Sequence, residues 1–392
     1  MNKYFEFINS VKILCGDKAI ENIPYELDFL GSHTPLILSD QGIQKIGLLD
    51  QITTILSKSG VNTDNIYTDI PVDSSTLVID TITAFYHQNN CDGIIAIGGG
   101  SVIDTAKGVR MSLSQNKANI MELAGNEIIK RGNHIPFVVM PTTCGTGSEC
   151  TAVAVIKNQD TGVKMEFISS EILPDCAVID VRLTATLPPR LIASTAMDAL
   201  CHAIEAFSSL QKNPISDAFA TSAMRLIADN LLPTITSPTP DTRTSLALAS
   251  TLAGVAFSNA MVGIVHAVGH ACGSIAHIPH GNAMAILLPH CMQFNLDINA
   301  DTYSELLLYL TNADTYATTP KELRAQKTIQ VVQDLIQKLN SQNILPTRLS
   351  DFGVTAELLP TIANSALNDG AIVVNNKNVD YNDIISILNK CL

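Results

Sequence analysis

The chain has 392 residues and a formal net charge of −13, with 46% hydrophobic and only 16% charged residues. This composition is typical of a folded protein with room for two domains, and it excludes a disordered chain. The negative charge argues against nucleic acid or an anionic membrane surface as a partner. We also find no signal-peptide pattern and no uninterrupted apolar run of about 18 residues, so we expect no membrane span.

In the first half, apolar runs of strand length alternate with helical patterns. The predicted strands are Pro35 to Leu38, Asn65 to Tyr67, Gly93 to Ile97 and Phe137 to Met140, and the predicted helices run from near Gly42 to Lys58, Ser75 to Gln88 and Ser101 to Ser112. This alternation predicts a parallel sheet covered on both faces. After Asp180 only helical patterns follow. We therefore predict a Rossmann-like α/β domain over residues 1–183 and an all-α helical domain over residues 184–392.

Ligands of parallel sheets bind beyond the carboxyl ends of the strands, which directs attention to three loops. In the first, a strand runs through Gly98, Gly99 and Gly100 into a helix. Such glycines let backbone N–H groups approach a pyrophosphate, although a tight turn explains them equally well. Ser101 is expected to cap the helix, with Asp104 as its partner.

The second loop, residues 141–148, carries the hydroxyls of Thr142, Thr143 and Thr146 after a strand. These groups suit phosphate, ribose or nicotinamide, but an ordinary loop is an equally open interpretation. The third loop follows Leu38 and contains Asp40. A carboxylate there favours NAD over NADP because it repels a 2′-phosphate, whereas for Asp40 taken alone a helix cap is the simpler role.

Residues 257–290 contain five of the nine histidines. His266 and His270 are four residues apart and share one face of a predicted helix. We expect Gly273 to end that helix and a turn around Pro279 to bring His280 back towards it. One buried histidine is readily explained as a hydrogen-bonded core residue, whereas several together favour a functional site.

Asp198 and His202 form a second pair with the same spacing, set among apolar residues on an earlier predicted helix. Taken alone, this pair indicates either metal ligands or an ion pair. With His266 and His280 available as further donors, a metal site becomes the favoured interpretation.

The combination of motifs resembles the iron-containing alcohol dehydrogenases, a group that shares its fold with glycerol dehydrogenase and dehydroquinate synthase. The resemblance covers nearly the whole chain and rests on GGGSVIDTAK at 98–107, PTTCGTGSE at 141–149, the Asp198/His202 pair, FSNAMVGIVHAVGHACG at 257–273 and PHG at 279–281. It implies a divalent metal, usually Fe²⁺ with Zn²⁺ also possible, bound by Asp198, His202, His266 and His280. It also implies that His270 is the catalytic residue.

The same resemblance implies NAD as a cofactor. The implied contacts are Gly99, Gly100 and Ser101 in the first loop, Thr142, Thr143 and Thr146 in the second, Lys164, and Asp40 as the residue that selects NAD. Two segments depart from the family pattern. Residues 274–278 lack the aromatic residues common there, and residues 375–377 read Asn-Asn-Lys where relatives commonly have Asn-Pro-Arg, so substrate size and local packing are open.

The sequence therefore predicts a metal-dependent oxidoreductase that transfers a hydride between a short primary alcohol or diol, or its aldehyde, and NAD. Alternatives are a polyol or hydroxyacid dehydrogenase of the same superfamily, a lyase similar to dehydroquinate synthase, and a non-haem iron oxygenase. The cysteines are nine in number and never spaced CxxC, which favours reduced thiols and a cytoplasmic location. The strand-like N-terminus, with Phe5 and Phe7 on one side, suits pairing with a second subunit, so we expect a homodimer or a larger homo-oligomer.

Overall fold

The computed structural model describes residues 4–125 and 129–392, and these divide into two compact units. The α/β unit comprises Ile8–Thr143 and Gly147–Thr186. The helical unit comprises Leu187–Leu392, the short segment Cys144–Thr146 and a terminal segment that ends at Phe7. The main division thus lies after Thr186.

The α/β unit is built on a parallel sheet. Its strands are β1 (Lys12–Cys15), β2 (Pro35–Leu38), β3 (Ile66–Tyr67), β4 (Gly93–Gly98), β5 (Phe137–Pro141) and β8 (Cys176–Ile179), while β6 (Val153–Lys157) and β7 (Lys164–Ile168) form a separate antiparallel pair. The order across the sheet is β1-β8-β5-β4-β2-β3, and every neighbouring pair is parallel. The predicted Rossmann-like sheet is confirmed, although the sequence analysis did not identify β6, β7 and β8.

The central strands are buried on both faces, which explains their continuous apolar runs. Along β4, Ile94 and Ala96 pack into one core, whereas Ile95 and Ile97 pack into a second core on the opposite face. This alternation follows from the two-residue period of a strand. The sheet is therefore covered by helices on both sides, as expected.

The helices are α1 (Ile23–Leu30), α2 (Gln41–Lys45), α3 (Leu48–Lys58), α4 (Thr76–Gln88), α5 (Gly100–Ser114), α6 (Val181–Thr184), α7 (Pro189–Ser208), α8 (Pro214–Thr236), α9 (Pro240–Ala260), α10 (Ile264–Ala276), α11 (His280–Leu310), α12 (Ala313–Thr318), α13 (Lys321–Ser341), α14 (Leu359–Leu367) and α15 (Tyr381–Cys391). The single helix predicted over residues 42–58 was wrong. It is interrupted at Gly47, whose φ of 75° is a left-handed conformation that glycine adopts easily.

Two further local predictions were wrong. Helix α5 is capped by Gly99 without a side-chain bond, and the Ser101 hydroxyl instead donates to the carbonyl of Val72. Helix α10 passes through Gly273 and ends at Ala276, where His277 adopts a left-handed conformation with φ 55°. Pro279 then precedes α11, so His280 is the first residue of a new helix.

Within the described part of the chain, no single helix has the length and apolar character needed to cross a membrane. Helices α9 and α10 meet that test of length and composition only when taken together, and they are bent by 105°.

Candidate active site

Helix α7 presents three functional side chains on one face. Asp198, His202 and Glu205 follow one another at intervals of four and three residues, which is the helical repeat. All three are buried within the helical unit. Because the surrounding residues of α7 are also buried, this face points into the interior of that unit.

His266 and His280 come from two other helices of the same unit. His266 lies in the first turn of α10, and His280 begins α11. The neighbour of His280, Gly281, lies against the backbone of Ser194 on α7, since an added Cβ would be 2.7 Å from the Ser194 carbonyl carbon. Only a residue without a side chain permits this approach, so Gly281 brings His280 close to α7.

The donor atoms of these residues converge on Asp198. Its Oδ1 lies 3.2 Å from Nε2 of His280, 3.6 Å from Nε2 of His266 and 3.8 Å from Nε2 of His202. Two ligand atoms of one tetrahedral ion with bonds of about 2.0–2.1 Å are roughly 3.3 Å apart. The separation to His280 is close to that value and the other two exceed it by 0.3–0.5 Å. Ligand atoms of Asp198, His202 and His266 all lie within 4.8 Å of one another.

Two of these atoms lack hydrogen-bond partners. Asp198 Oδ1 and His266 Nε2 are buried and form no hydrogen bond in the described part of the chain. A buried polar atom without a partner is costly, and two such atoms facing each other need a third group. A divalent metal ion would satisfy both, so the residues present fit a metal site of one oxygen and three nitrogen donors.

Electrostatics at this cluster also favour a cation. Burial alone would raise the pKa of Asp198, but the imidazoles of His202 and His280 keep it well below its usual range. Burial lowers the pKa of His202 to about 3. Burial would likewise lower the pKa of His266, yet the carboxylates of Glu205 and Asp198 raise it to about 9. The two carboxylates thus favour positive charge at this point.

Ring packing restrains the histidines of this cluster. The His202 ring stacks between Phe257, at 4.2 Å, and His266, at 4.5 Å between centroids. Aromatic stacking of this kind restricts ring rotation and keeps Nε2 directed at Asp198.

His270 has a carboxylate partner that the sequence analysis missed. Its Nδ1 lies 2.9 Å from Oδ2 of Asp369, and its ring stacks on His280 at 5.5 Å. Burial would raise the pKa of Asp369, but the hydrogen bond and charge of His270 lower it. Since the two residues are 99 positions apart, no local spacing could have identified the pair.

Glu205 is the second residue that the sequence analysis missed. Its Oε2 accepts a hydrogen bond from His266 Nδ1 at 2.5 Å, and its Oε1 accepts one from the backbone N–H of Val265 at 2.7 Å. Here a signal was available, since Glu205 is seven residues after Asp198 on the same face of a helix. His277, which is exposed, caps α10, and His290 lies within α11.

In the α/β unit, the three predicted cofactor loops lie at adjacent carboxyl ends of β2, β4 and β5. The Ser39 hydroxyl donates to Ile97 O at 2.8 Å, and the Thr142 amide donates to Gly98 O at 3.0 Å. A Cβ on Gly99 would be 3.2 Å from Thr143, so the first two loops are in close contact. Strand order changes direction between β2 and β4, which is where such sheets bind ligands.

The predicted cofactor residues differ in accessibility. Gly99, Gly100, Ser101, Thr143 and Thr146 are partly exposed, whereas Thr142 is buried. Thr146 belongs to the segment that groups with the helical unit. Asp40 caps α2 through a 2.9 Å bond from the Ile43 amide, and Lys164 pairs with Asp73 at 2.7 Å.

Behind the second loop lies a buried charged network. Lys107 is fully buried on α5 and donates to Ser148 Oγ, Thr151 Oγ1 and Val153 O at 2.7–2.9 Å. Asp104 accepts from Ser148 Oγ at 2.7 Å and from the Val155 amide at 3.0 Å, which replaces its predicted capping role. Burial lowers the pKa of Lys107 to about 8. The network ties the second loop to α5.

Residues 375–377, which read Asn-Asn-Lys instead of the family's common Asn-Pro-Arg, are held by hydrogen bonds and an ion pair. Asn375 and Asn295 exchange two amide hydrogen bonds of 3.0 Å, and Lys377 donates to Asp297 at 2.9 Å. Both partners lie on α11. The polar residues therefore provide packing contacts of their own.

Comparison with known proteins agrees with this geometry. Residues 10–181 match the family model for iron-containing alcohol dehydrogenase, and residues 192–392 match that for the C-terminal part of the Fe-containing alcohol dehydrogenase family. The chain is 33% identical to 1,3-propanediol dehydrogenase of Citrobacter freundii, with 95% of each chain covered. It is 30% identical to NAD-dependent methanol dehydrogenase of Bacillus methanolicus, with 96% and 97% covered. A crystal structure of 1,3-propanediol oxidoreductase is similar with a TM-score of 0.92 at 32% identity, with both chains fully covered.

Proposed function

The chain belongs to the iron-containing alcohol dehydrogenase family, and we propose that it oxidises a short primary alcohol or diol with NAD or reduces the matching aldehyde. Family membership confirms the resemblance found in the sequence. The observation that carries the proposal is the convergence of Asp198 Oδ1 with three imidazole nitrogens, two of these atoms being buried without a partner.

An alcohol is a poor hydride donor at neutral pH because its hydroxyl holds its proton tightly. Asp198, His202, His266 and His280 would hold an iron ion, whose positive charge would lower the pKa of the alcohol oxygen. His270 then acts as the proton relay. Its Nδ1 is held by Asp369, so the ring keeps one orientation and its Nε2 is the atom that exchanges the proton.

For the cofactor, we assign the pyrophosphate to Gly99, Gly100 and Ser101, where α5 begins without a side-chain cap on its first N–H groups. Thr142, Thr143, Thr146 and Lys164 are assigned to further cofactor contacts. Asp40 is fixed in place as the cap of α2, and its charge disfavours the 2′-phosphate of NADP.

The alternatives receive less support. A lyase similar to dehydroquinate synthase and a polyol or hydroxyacid dehydrogenase are not favoured, since several of the similar proteins are named as alcohol or diol dehydrogenases. A non-haem iron oxygenase would not explain the predicted dinucleotide-binding loops. Net NADH formation from a simple alcohol separates a dehydrogenase from a lyase.

We further propose a cytoplasmic homodimer. Strand β1 is an edge strand of the sheet, and the exposed side chains of Ile13, Tyr25 and Phe29 lie on β1 and α1. Edge strands of this kind pair readily with another chain. The N-terminal strand itself begins only at Lys12, and the Phe7 ring stacks on Phe219 at 5.7 Å instead.

The test is an anaerobic purification with metal analysis, followed by an assay of NAD and NADP reduction over a panel of alcohols, with aldehydes in the reverse direction. We expect about one iron per chain and turnover with NAD. His266→Ala should lose both metal and turnover. Absence of activity with every alcohol and aldehyde, in protein with a full metal content, would contradict the proposal.

A further inference from the structure

We propose that Glu205 is a positioning residue that selects the nitrogen with which His266 binds the metal ion. This rests on the metal-dependent function proposed above and concerns a residue outside the four donors. The Glu205 side chain is buried, and both of its oxygens accept hydrogen bonds from α10. One accepts from the His266 ring and the other from the Val265 amide.

The first consequence concerns the hydrogen on the imidazole. A carboxylate only accepts hydrogen bonds, so Nδ1 of His266 carries the hydrogen in the 2.5 Å contact with Glu205. When His266 is neutral, as metal binding requires, Nε2 is therefore the atom whose lone pair is available. It is the same atom that lies 3.6 Å from Asp198 Oδ1 and lacks a hydrogen-bond partner. Carboxylates that hold the second nitrogen of a ligand histidine generally fix its tautomer in this way.

The second consequence concerns the position of α10. Its N-cap residue, Gly263, provides no side-chain cap, which leaves the first N–H groups of the helix in need of acceptors. Glu205 Oε1 accepts from Val265, the second residue of the helix, and so takes the role of a cap supplied by another helix. A Cβ on Gly263 would be 3.2 Å from that oxygen, so glycine keeps the approach open.

Glu205 therefore connects two helices that both supply metal donors. On α7 it shares a face with Asp198 and His202, and through its carboxylate it fixes both the start of α10 and the ring of His266. One side chain thus positions His266 relative to the two donors on α7.

Glu205→Gln tests the tautomer directly because glutamine has nearly the same size. Its amide oxygen can still accept from Val265, but its NH₂ group then donates to His266 Nδ1 and forces the hydrogen onto Nε2. We expect the affinity for Co²⁺, measured anaerobically by chelator competition, to fall about 10- to 100-fold. The metal-free variant should be less stable than wild type, because the buried Glu205–His266 charge pair is lost, so Co²⁺ affinity is compared at a temperature where both proteins are folded. Glu322→Gln, the same chemical change at an exposed position of α13, should leave the Co²⁺ affinity unchanged.

Glu205→Asp is the second variant and keeps the acceptor. It should bind Co²⁺ more tightly than Glu205→Gln, and if the glutamine variant does not fold, it should still bind more tightly than His266→Ala. Co²⁺ affinity of Glu205→Gln within about threefold of wild type would overturn the proposal, as would equal weakening in the Gln and Asp variants. Since no alcohol or NAD is present, an inactive wild type with intact Co²⁺ binding would count against the proposed function alone.

Discussion

Replacement of Gly281 by alanine should disturb the metal centre without touching any donor. In the structure an added Cβ would lie 2.7 Å from the carbonyl carbon of Ser194 and closer still to its oxygen. Ordinary contact begins at 3.4 Å, so the two helices must separate by at least about 0.7 Å, the difference between these distances. Both clashing atoms belong to the backbone of α7, which cannot rotate away as a flexible side chain would.

This separation displaces His280, the residue before Gly281. Overpacking of this kind costs about 1–3 kcal/mol of folding free energy. Displacement of a reacting group by about 1 Å can lower the rate roughly 100-fold. We therefore expect Gly281→Ala to reduce kcat about 100-fold and to weaken Co²⁺ binding, measured by steady-state assay and chelator competition.

Gly273→Ala is the matched control in the same stretch of sequence. A Cβ there meets only Ile278 O, at 3.6 Å, and the position is inside α10. Alanine favours a helix over glycine by up to about 1 kcal/mol, so this variant should be as stable as wild type or more stable, with unchanged metal affinity. A folded Gly281→Ala protein with wild-type Co²⁺ affinity and kcat would refute the reasoning.

Two further predictions concern the buried charges. Asp369→Asn should lower kcat about 100-fold at neutral pH with unchanged metal content, because an amide next to His270 Nδ1 favours the wrong tautomer; wild-type turnover would contradict the relay. Lys107→Met should weaken the unit that contains it, because Ser148, Thr151 and Val153 lose a common donor. In the folded chain the pKa of Lys107 is about 8, below the ordinary 10.5, so above pH 8 the folded state binds fewer protons than the unfolded state. The free energy of unfolding of wild type should therefore rise relative to that of Lys107→Met between pH 8 and 10.5, measured by urea titration. A difference that does not change with pH would contradict the assigned pKa shift.

Local patterns in the sequence were sufficient for the fold class. Buried parallel strands require continuous apolar runs, and the runs at β2, β4 and β5 were recognised for that reason. Strand β8 is an equally continuous buried apolar run and was overlooked. Strands β6 and β7 are only partly buried and give no such run. The break at Gly47 was also missed, since a single residue in a left-handed conformation leaves little trace in apolar periodicity.

The candidate metal donors could be selected because each pair lies within one helical turn. Asp198 with His202, and His266 with His270, have the spacing that puts two side chains on one face. Their division into metal ligands and a catalytic histidine came from the resemblance to a family. It stays a proposal, supported by the distances around Asp198 Oδ1.

Sequence by itself thus determined the α/β and helical parts, the donor types and the order of the motifs, because these depend on short-range periodicity and chemistry. Tertiary structure alone decided which carboxylate meets which imidazole. Asp369 reaches His270 across 99 residues and Glu205 reaches His266 across 61. Contacts of this kind arise from how helices pack, which no local spacing encodes, and they set the tautomers on which the proposed chemistry depends.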